Sequence, residues 1–415
     1  MDAPIQDADL VAGRRLMARL DAFAAFTDEP RRLTRVFLSE AHRRAAQAFI
    51  GWCGEAGLEA TIDAAGNVVA RYEGKRAGAP ALMLGSHIDT VRDAGRYDGN
   101  YGALAALAVV ESFAGRGERL DHAIEIVAFG DEEGVRFRTT LTGSRALAGN
   151  YPQDALDQRD ANGVSMRDAL KAFGGNPERA GSIRRSGVAA FVEAHIEQGP
   201  ILEAEGLPLG IVTAINGATR LEVAVDGVAG HAGATPMRLR RDALTAAAEM
   251  ALAVETRARS EADLVATVGR FDVWPDATNV IPGAVNFSID LRSPDDARRA
   301  AALADLEARV SAIAASRGVS VSVAKPHEAN AYVCDSNIVA GLKKAVEAVG
   351  FPPRLLPSGA GHDTMVIGKL CPAGMLFVRC KGGVSHNPLE SITVEDCALG
   401  LAALTRFVRD FRLAS

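Results

Sequence analysis

The chain has 415 residues, 48% of them hydrophobic and 24% charged, which is an ordinary globular composition and too long for one core, so two domains are expected. A net charge of −6 leaves no basic excess for phosphates, which argues against a general nucleic-acid binder, and no apolar run reaches membrane-spanning length. Five scattered cysteines without a CxxC pair, and an acidic, polar start (MDAPIQDADL) unlike a signal peptide, point to reduced thiols and a cytoplasmic location.

From Asp9 to about Gly57 apolar residues recur at helical spacing: Leu10, Leu16, Leu20 and Phe23, then a second set over residues 41–53. Residues 60–71 alternate around a Gly-Asn turn and read as a hairpin. The apolar run at 81–84 is a buried strand that ends in Gly85-Ser86 and delivers Ser86, His87 and Asp89 into a loop. His87 and Asp89, two apart, share a face of an extended strand, so one can ligate a metal while the other holds the remaining ring N–H. The loop continues through Asp98-Gly99 into a small-residue helix over 102–113. A second buried strand, 123–129, ends in Gly130-Asp131-Glu132-Glu133-Gly134, and a third, 191–195, runs into His195 and on to Gln198. Residues 150–186 read as helical, interrupted by glycine and without chemistry. Strands alternating with helices argue for a mostly parallel α/β sheet.

After about Thr213 the pattern changes. Strands at 221–225, 264–271, 284–291 and 319–324, with helices at 242–258 and 297–317, stand in the ferredoxin-like order, as an insertion into the first domain. From about Val333 the α/β style returns: a helix over 336–349, the loop 357–364, a strand at 375–379, the loop 381–389 and a helix from Thr393. Asp363 stands where it would cap the helix after it. His42, His122 and His327 have no partner motif and are expected at the surface or in local hydrogen bonds, while His362 adjoins the site loop.

The polar residues at strand ends form one set: His87, Asp98, Glu132, Glu133, His195 and His386. All fall where an open α/β sheet exposes its carboxyl edge. Two half-sites of histidine and carboxylate suit two divalent cations bridged by one carboxylate, which would acidify a bridging water and polarise a carbonyl. One carboxylate must then stay unligated to move the proton, and two adjacent glutamates suit that division.

The ordered motifs GSHIDT, YDGNYG, DEEGVRF, HIEQGP, GHAGATPM, TNVIPG, DLR and GGVSHNP resemble the metal-dependent amidase/hydantoinase/carbamoylase group of the M20 metallopeptidase-like family, over about residues 10 to 410. The resemblance implies a mixed-sheet, zinc-peptidase-like catalytic domain over 1–213 and 330–415, with an inserted ferredoxin-like α+β dimerisation (lid) domain over 214–329. It implies that His87 and His195 bind one metal, Glu133 and His386 the other, with Asp98 between them. Glu132 would be the general base and Asp89 would orient His87. His231 would reach the partner subunit's site and stabilise an oxyanion, and Gln198, Arg220, Asn279, Arg292 and the backbone of Gly359 would bind substrate.

The implied enzyme takes two divalent ions per subunit, zinc first, with manganese, cobalt or nickel as alternatives. It is a homodimer through the inserted domain and cleaves the linear C–N bond of N-carbamoyl-L-amino acids to amino acid, carbon dioxide and ammonia. Allantoate and ureidoglycolate are the alternative substrates, a dipeptide a weaker one. A non-catalytic ureido-acid binder would have no need of the paired glutamates. Ala94-Gly95 and the run Ala103 to Ala106 depart from the group's pattern but touch no implied ligand.

Overall fold

The structure, a computed structural model, describes residues 5–413, and within that span the chain divides into two compact units. One runs to Thr213 and resumes over Cys334–Leu356 and from Gly361 on; the other comprises Ala214–Val333 and Pro357–Ala360.

The first unit opens with the helix Asp7–Ala24, whose Leu16, Leu20 and Phe23 are buried, each worth about 1.5–3 kcal/mol in removed apolar surface. Gly13 lets this helix lie against the last one, Val394–Asp410: a Cβ there would come within 2.6 Å of that of Ala398. The helix Glu40–Glu55 follows, its Ser39 cap accepting the His42 amide. Strands β1 (Glu59–Ile62) and β2 (Val68–Tyr72) form the expected hairpin, and β3 (Ala81–His87) and β4 (Ala123–Phe129) flank the helix Asn100–Ala114. All seven residues of β3 and of β4 are buried, as in a parallel sheet covered on both faces. β5 (Val188–Ile196) and β6 (Leu209–Ile215) complete this part of the chain. The apolar run of β6, between Pro208 and Asn216, is a strand that the sequence reading passed over.

The second unit contains β7 (Gly217–Asp226), β8 (Gly230–His231), the helix Ala243–Arg259, β9 (Val265–Thr267), β10 (Phe271–Trp274), β11 (Val280–Ile281), β12 (Ala284–Ser293), the helix Asp296–Arg317, β13 (Ser320–Ala329) and β14 (Tyr332–Val333). Asp242 and Asp295 cap its two long helices. The sheet is antiparallel, in the order β10-β12-β7-β13, with β9 on β12 and a separate ribbon of β8 and β11. The single strand expected over 264–271 is broken. Thr267 pairs with Asp290 and Phe271 with Phe287, so three residues stand opposite two. The Arg270 amide turns to the Ser288 hydroxyl at 3.1 Å, the signature of a bulge.

The chain returns through the helix Ser336–Ala348, β15 (Arg354–Ser358) and β16 (Ala373–Val378). In the first unit's sheet the order is β1-β2-β4-β3-β5-β16-β6, and β4, β3, β5 and β16 run parallel. Pairing of His87 with Phe129 and of His195 with Phe377 brings the carboxyl ends of these four strands to one edge. This is a mixed α/β fold with mixed sheets. No helix among the described residues is long and apolar enough to cross a membrane, and the five cysteines are buried and unpaired.

Candidate metal centre

Four strand ends build the site in the first unit. His87 is the last residue of β3 and His195 the last but one of β5; Glu132 and Glu133 follow β4, Asp98 lies between β3 and its helix, and His386 lies in the loop after β16. Their side chains converge on Asp98. Its Oδ1 lies 3.6 Å from His87 Nε2 and 3.2 Å from His195 Nε2, and its Oδ2 lies 3.1 Å from His386 Nε2. Glu133 Oε1 is 3.6 Å from His386 Nε2. The ligand atoms of His87, Asp98 and His195 form one group within 4.8 Å of one another, and those of Asp98, Glu133 and His386 form a second. Asp98 belongs to both. Gly99, at φ 64, lies against the His87 ring, which a Cβ at that position would enter, so the close approach of loop and ring requires glycine.

The charges follow from this crowding. Burial alone would raise the Asp98 carboxyl, but hydrogen bonds from His195, His386 and His87 hold it well below the usual carboxylate range. His386 is pushed up to about 9, chiefly by its bond to Asp98. Burial, followed by repulsion from Asp98, pushes Glu133 up to about 7. Burial also holds Glu132 well above its ordinary value; His87 opposes, while Glu133, Asp363 and Asp89 add to the effect. Imidazole and carboxylate without thiolate is a donor set that fits a divalent cation of the zinc, manganese, cobalt or nickel kind. Such a cation would displace the shared protons and reverse the pKa logic of the cluster.

The supporting bonds differ in detail from the implied roles. The Asp89 main-chain oxygen, 3.0 Å from His87 Nδ1, orients that ring. The Asp89 carboxylate instead accepts the amides of Glu132 (3.2 Å) and Glu133 (3.3 Å), holding the paired glutamates against the end of β3. Gln198, at φ 56, donates its amide nitrogen to Asp98 Oδ2 at 3.0 Å and to Ser385 Oγ at 3.1 Å. Asp363 is fully buried and makes no capping bond, contrary to the expectation, because its helix, Thr364–Ile367, is a single turn folded into the core. His362 is buried with its ring 4.5 Å from that of His195. His42 and His122 are buried rather than at the surface, the first accepting the Leu38 amide and the second edge-on to Phe411.

Sequence reasoning missed the groups beneath the site. Arg35, fully buried, donates to the Ile88 carbonyl and to Asn100 Oδ1, joining the end of β3 to the start of the following helix. Glu193 accepts Ser86 Oγ at 2.7 Å and the amide and hydroxyl of Thr364. Glu390 bonds the Asp98 loop. A signal existed for Glu193, a carboxylate inside an otherwise apolar strand two residues before His195; Arg35 and Glu390 lie in segments with no pattern.

The remaining site candidates lie in the second unit. Arg292 is locked by Asp290, with Nε at 2.7 Å from Oδ1 and Nη2 at 3.0 Å from Oδ2, and its Nη1 donates to the Gly359 carbonyl at 2.7 Å. Arg220 Nε reaches the same Asp290 at 3.2 Å. His231 and Asn279 are neighbours at the β8–β11 ribbon, exposed and apart from that cluster in the chain.

Comparison with known proteins places the chain. Residues 83–410 match the model of peptidase family M20/M25/M40. The chain belongs to that family. It is 42% identical to an N-carbamoyl-L-amino acid amidohydrolase of Geobacillus stearothermophilus, over 95% of this chain and 97% of the other. It is 41% identical to the allantoate deiminase of Arabidopsis thaliana, over 94% and 80%. Among solved structures, an amidase of the hydantoinase/carbamoylase family from Burkholderia multivorans superposes with a TM-score of 0.91 at 36% identity, over 95% and 96% of the two chains. As a member of this family the chain is a metal-dependent hydrolase of C–N bonds other than peptide bonds.

Proposed function

We propose that the chain hydrolyses N-carbamoyl-L-amino acids to the amino acid, carbon dioxide and ammonia. The observation that carries this reading is Asp98 set between two groups of imidazole and carboxylate ligands, with Glu132 beside them. His87, Asp98 and His195 would hold one divalent ion and Asp98, Glu133 and His386 the other. The ions, when bound, would acidify water and polarise the carbamoyl oxygen. Glu132 takes the proton from the attacking water and returns it to the departing amino-acid nitrogen, and the carbamate left behind breaks down to carbon dioxide and ammonia.

Arg292 supports the choice of a substrate with a free carboxylate. Three of its five N–H donors are occupied by Asp290 and Gly359, which fixes the planar fork and leaves two donors for a bidentate carboxylate. The Arg292→Lys variant is expected to raise KM at least about tenfold with a smaller change in kcat, since a lysine cannot reproduce the fork. An unchanged KM would remove Arg292 from the binding site.

His231 Nδ1 accepts the amides of Gly233 (3.1 Å) and Ala234 (3.2 Å), which puts its proton on the exposed Nε2. That is the tautomer an oxyanion needs. The inserted unit serves as a dimerisation lid in this reading, and the long, exposed edge strand β13 offers it a pairing edge. His231 then acts across the dimer. Mixed dimers of His231→Ala and Glu132→Gln chains should recover activity that neither variant shows alone; mixtures as inactive as the parents would refute the role in trans.

Allantoate is the second reading, because it too presents a ureido group and a carboxylate and its deiminases are equally similar to this chain. Ammonia release from the metal-loaded enzyme decides between the two. Turnover of N-carbamoyl-L-amino acids and not of allantoate is the expected result. Turnover of allantoate alone would replace the first reading with the second, and silence on both would overturn both.

A further inference from the structure

The loop that carries His386 has little structure of its own. It runs from Cys380 to Ser391, is closed by the Lys381 amide on the Ser391 carbonyl at 2.8 Å, and holds Gly382, Gly383 and His386 itself at positive φ. The His386 side chain is 51% exposed, whereas that of Asp98 is 4% exposed. Two of the ligands of the second half-site, Asp98 and His386, therefore sit on loops whose separation no ladder or helix sets. Gln198 touches both, and one side chain of the His386 loop itself reaches across to the main chain of the other. Glu390 Oε1 accepts the amides of Tyr97 at 2.8 Å and Asp98 at 3.1 Å, and its Oε2 accepts the Ser385 hydroxyl at 2.9 Å. Ser385 precedes His386 and lies 3.2 Å from Asp98 Oδ2. Glu390 is 4% exposed and lies directly over Gly95, where any Cβ would overlap its carboxylate. The glycine in the Asp98 loop makes room for a carboxylate that stands 293 residues beyond Tyr97 in the sequence.

We propose that Glu390 is a positioning residue that sets the distance between the Asp98 and His386 loops and so determines the affinity of the second metal half-site, formed by Asp98, Glu133 and His386. The proposal rests on the two-ion reading above. Its chemistry is specific to a carboxylate. Ser385 has one proton and two carboxylate neighbours, and it lies closer to Glu390 than to Asp98. With the Ser385 proton on Glu390, Asp98 Oδ2 is left to Gln198, His386 and the cation. A glutamine at 390 would present an N–H to Ser385 and turn the serine proton toward Asp98, where it competes with the ion.

The experiment titrates Zn2+ into metal-free wild type, Glu390→Gln and Ser385→Ala in competition with a chromophoric chelator, with melting temperatures measured in parallel. Wild type should take two ions per chain. Glu390→Gln should hold the first with little change and the second about 10- to 100-fold more weakly, the usual cost of losing a bond that orients a ligand. Ser385→Ala, a change in a partly exposed loop, should keep the wild-type melting temperature and weaken the second ion in the same direction by less. Two ions bound as in wild type by both variants, or equal weakening of both ions together with a lowered melting temperature, overturns the proposal. A wild type that takes one ion only would defeat the two-ion reading itself, and this inference with it.

Discussion

Replacing Glu132 by glutamine is expected to lower kcat by about 10²- to 10⁴-fold, the usual contribution of a positioned general base. The substitution keeps shape and volume. It also keeps the main-chain bond from the Glu132 amide to the Asp89 carboxylate, so the loop after β4 should hold its place. What is lost is the ability to take a proton. Metal content must be measured with activity, because His87, Glu132 and Glu133 also lie within ligand distance of one another. An inactive variant with a full complement of metal identifies Glu132 as the base. Loss of an ion along with activity would make Glu132 a ligand instead, and full activity would sink the mechanism.

Replacing Asp98 by alanine should have the widest effect on the centre. Asp98 belongs to both ligand groups and its carboxylate lies against His87, His195 and His386 together. Without it each half-site falls to two ligands, His87 with His195 and Glu133 with His386. Elemental analysis after dialysis should find the variant nearly free of metal, with affinity reduced by well over the ~100-fold that marks the loss of an orienting bond, and activity at background. Replacing Glu133 should cost chiefly the second ion, since Glu133 appears with Asp98 and His386 and is absent from the His87–Asp98–His195 group. Retention of both ions by the Asp98→Ala chain would show that Asp98 does not bridge them.

Much of the fold was legible because the signals are local. The hairpin around Gly66-Asn67, the wholly buried strands β3 and β4, and the Asp-capped helices Ala243–Arg259 and Asp296–Arg317 each follow from periodicity and end residues within a dozen positions. The break between β9 and β10 was not legible, since it depends on how residues 268–270 face Ser288 and Ile289 across the sheet. The Asp363 cap failed for a related reason: burial of a one-turn helix overrode the side-chain preference.

At the centre the sequence by itself determined which residue types are available and that they fall at strand ends. Side-chain chemistry and strand periodicity are properties of single residues and short windows, so His87, Asp98, Glu132, Glu133, His195 and His386 could be picked out in order. The tertiary structure alone decided which atoms meet. Asp89 holds the paired glutamates with its carboxylate and His87 with its main chain, and Gln198 is drawn to Asp98. Arg35, Glu193 and Glu390 tie loops whose partners lie up to 293 residues away. A buried hydrogen bond is set by how closely two backbones approach, and that distance is fixed by sheet order and register, which no spacing along the chain records.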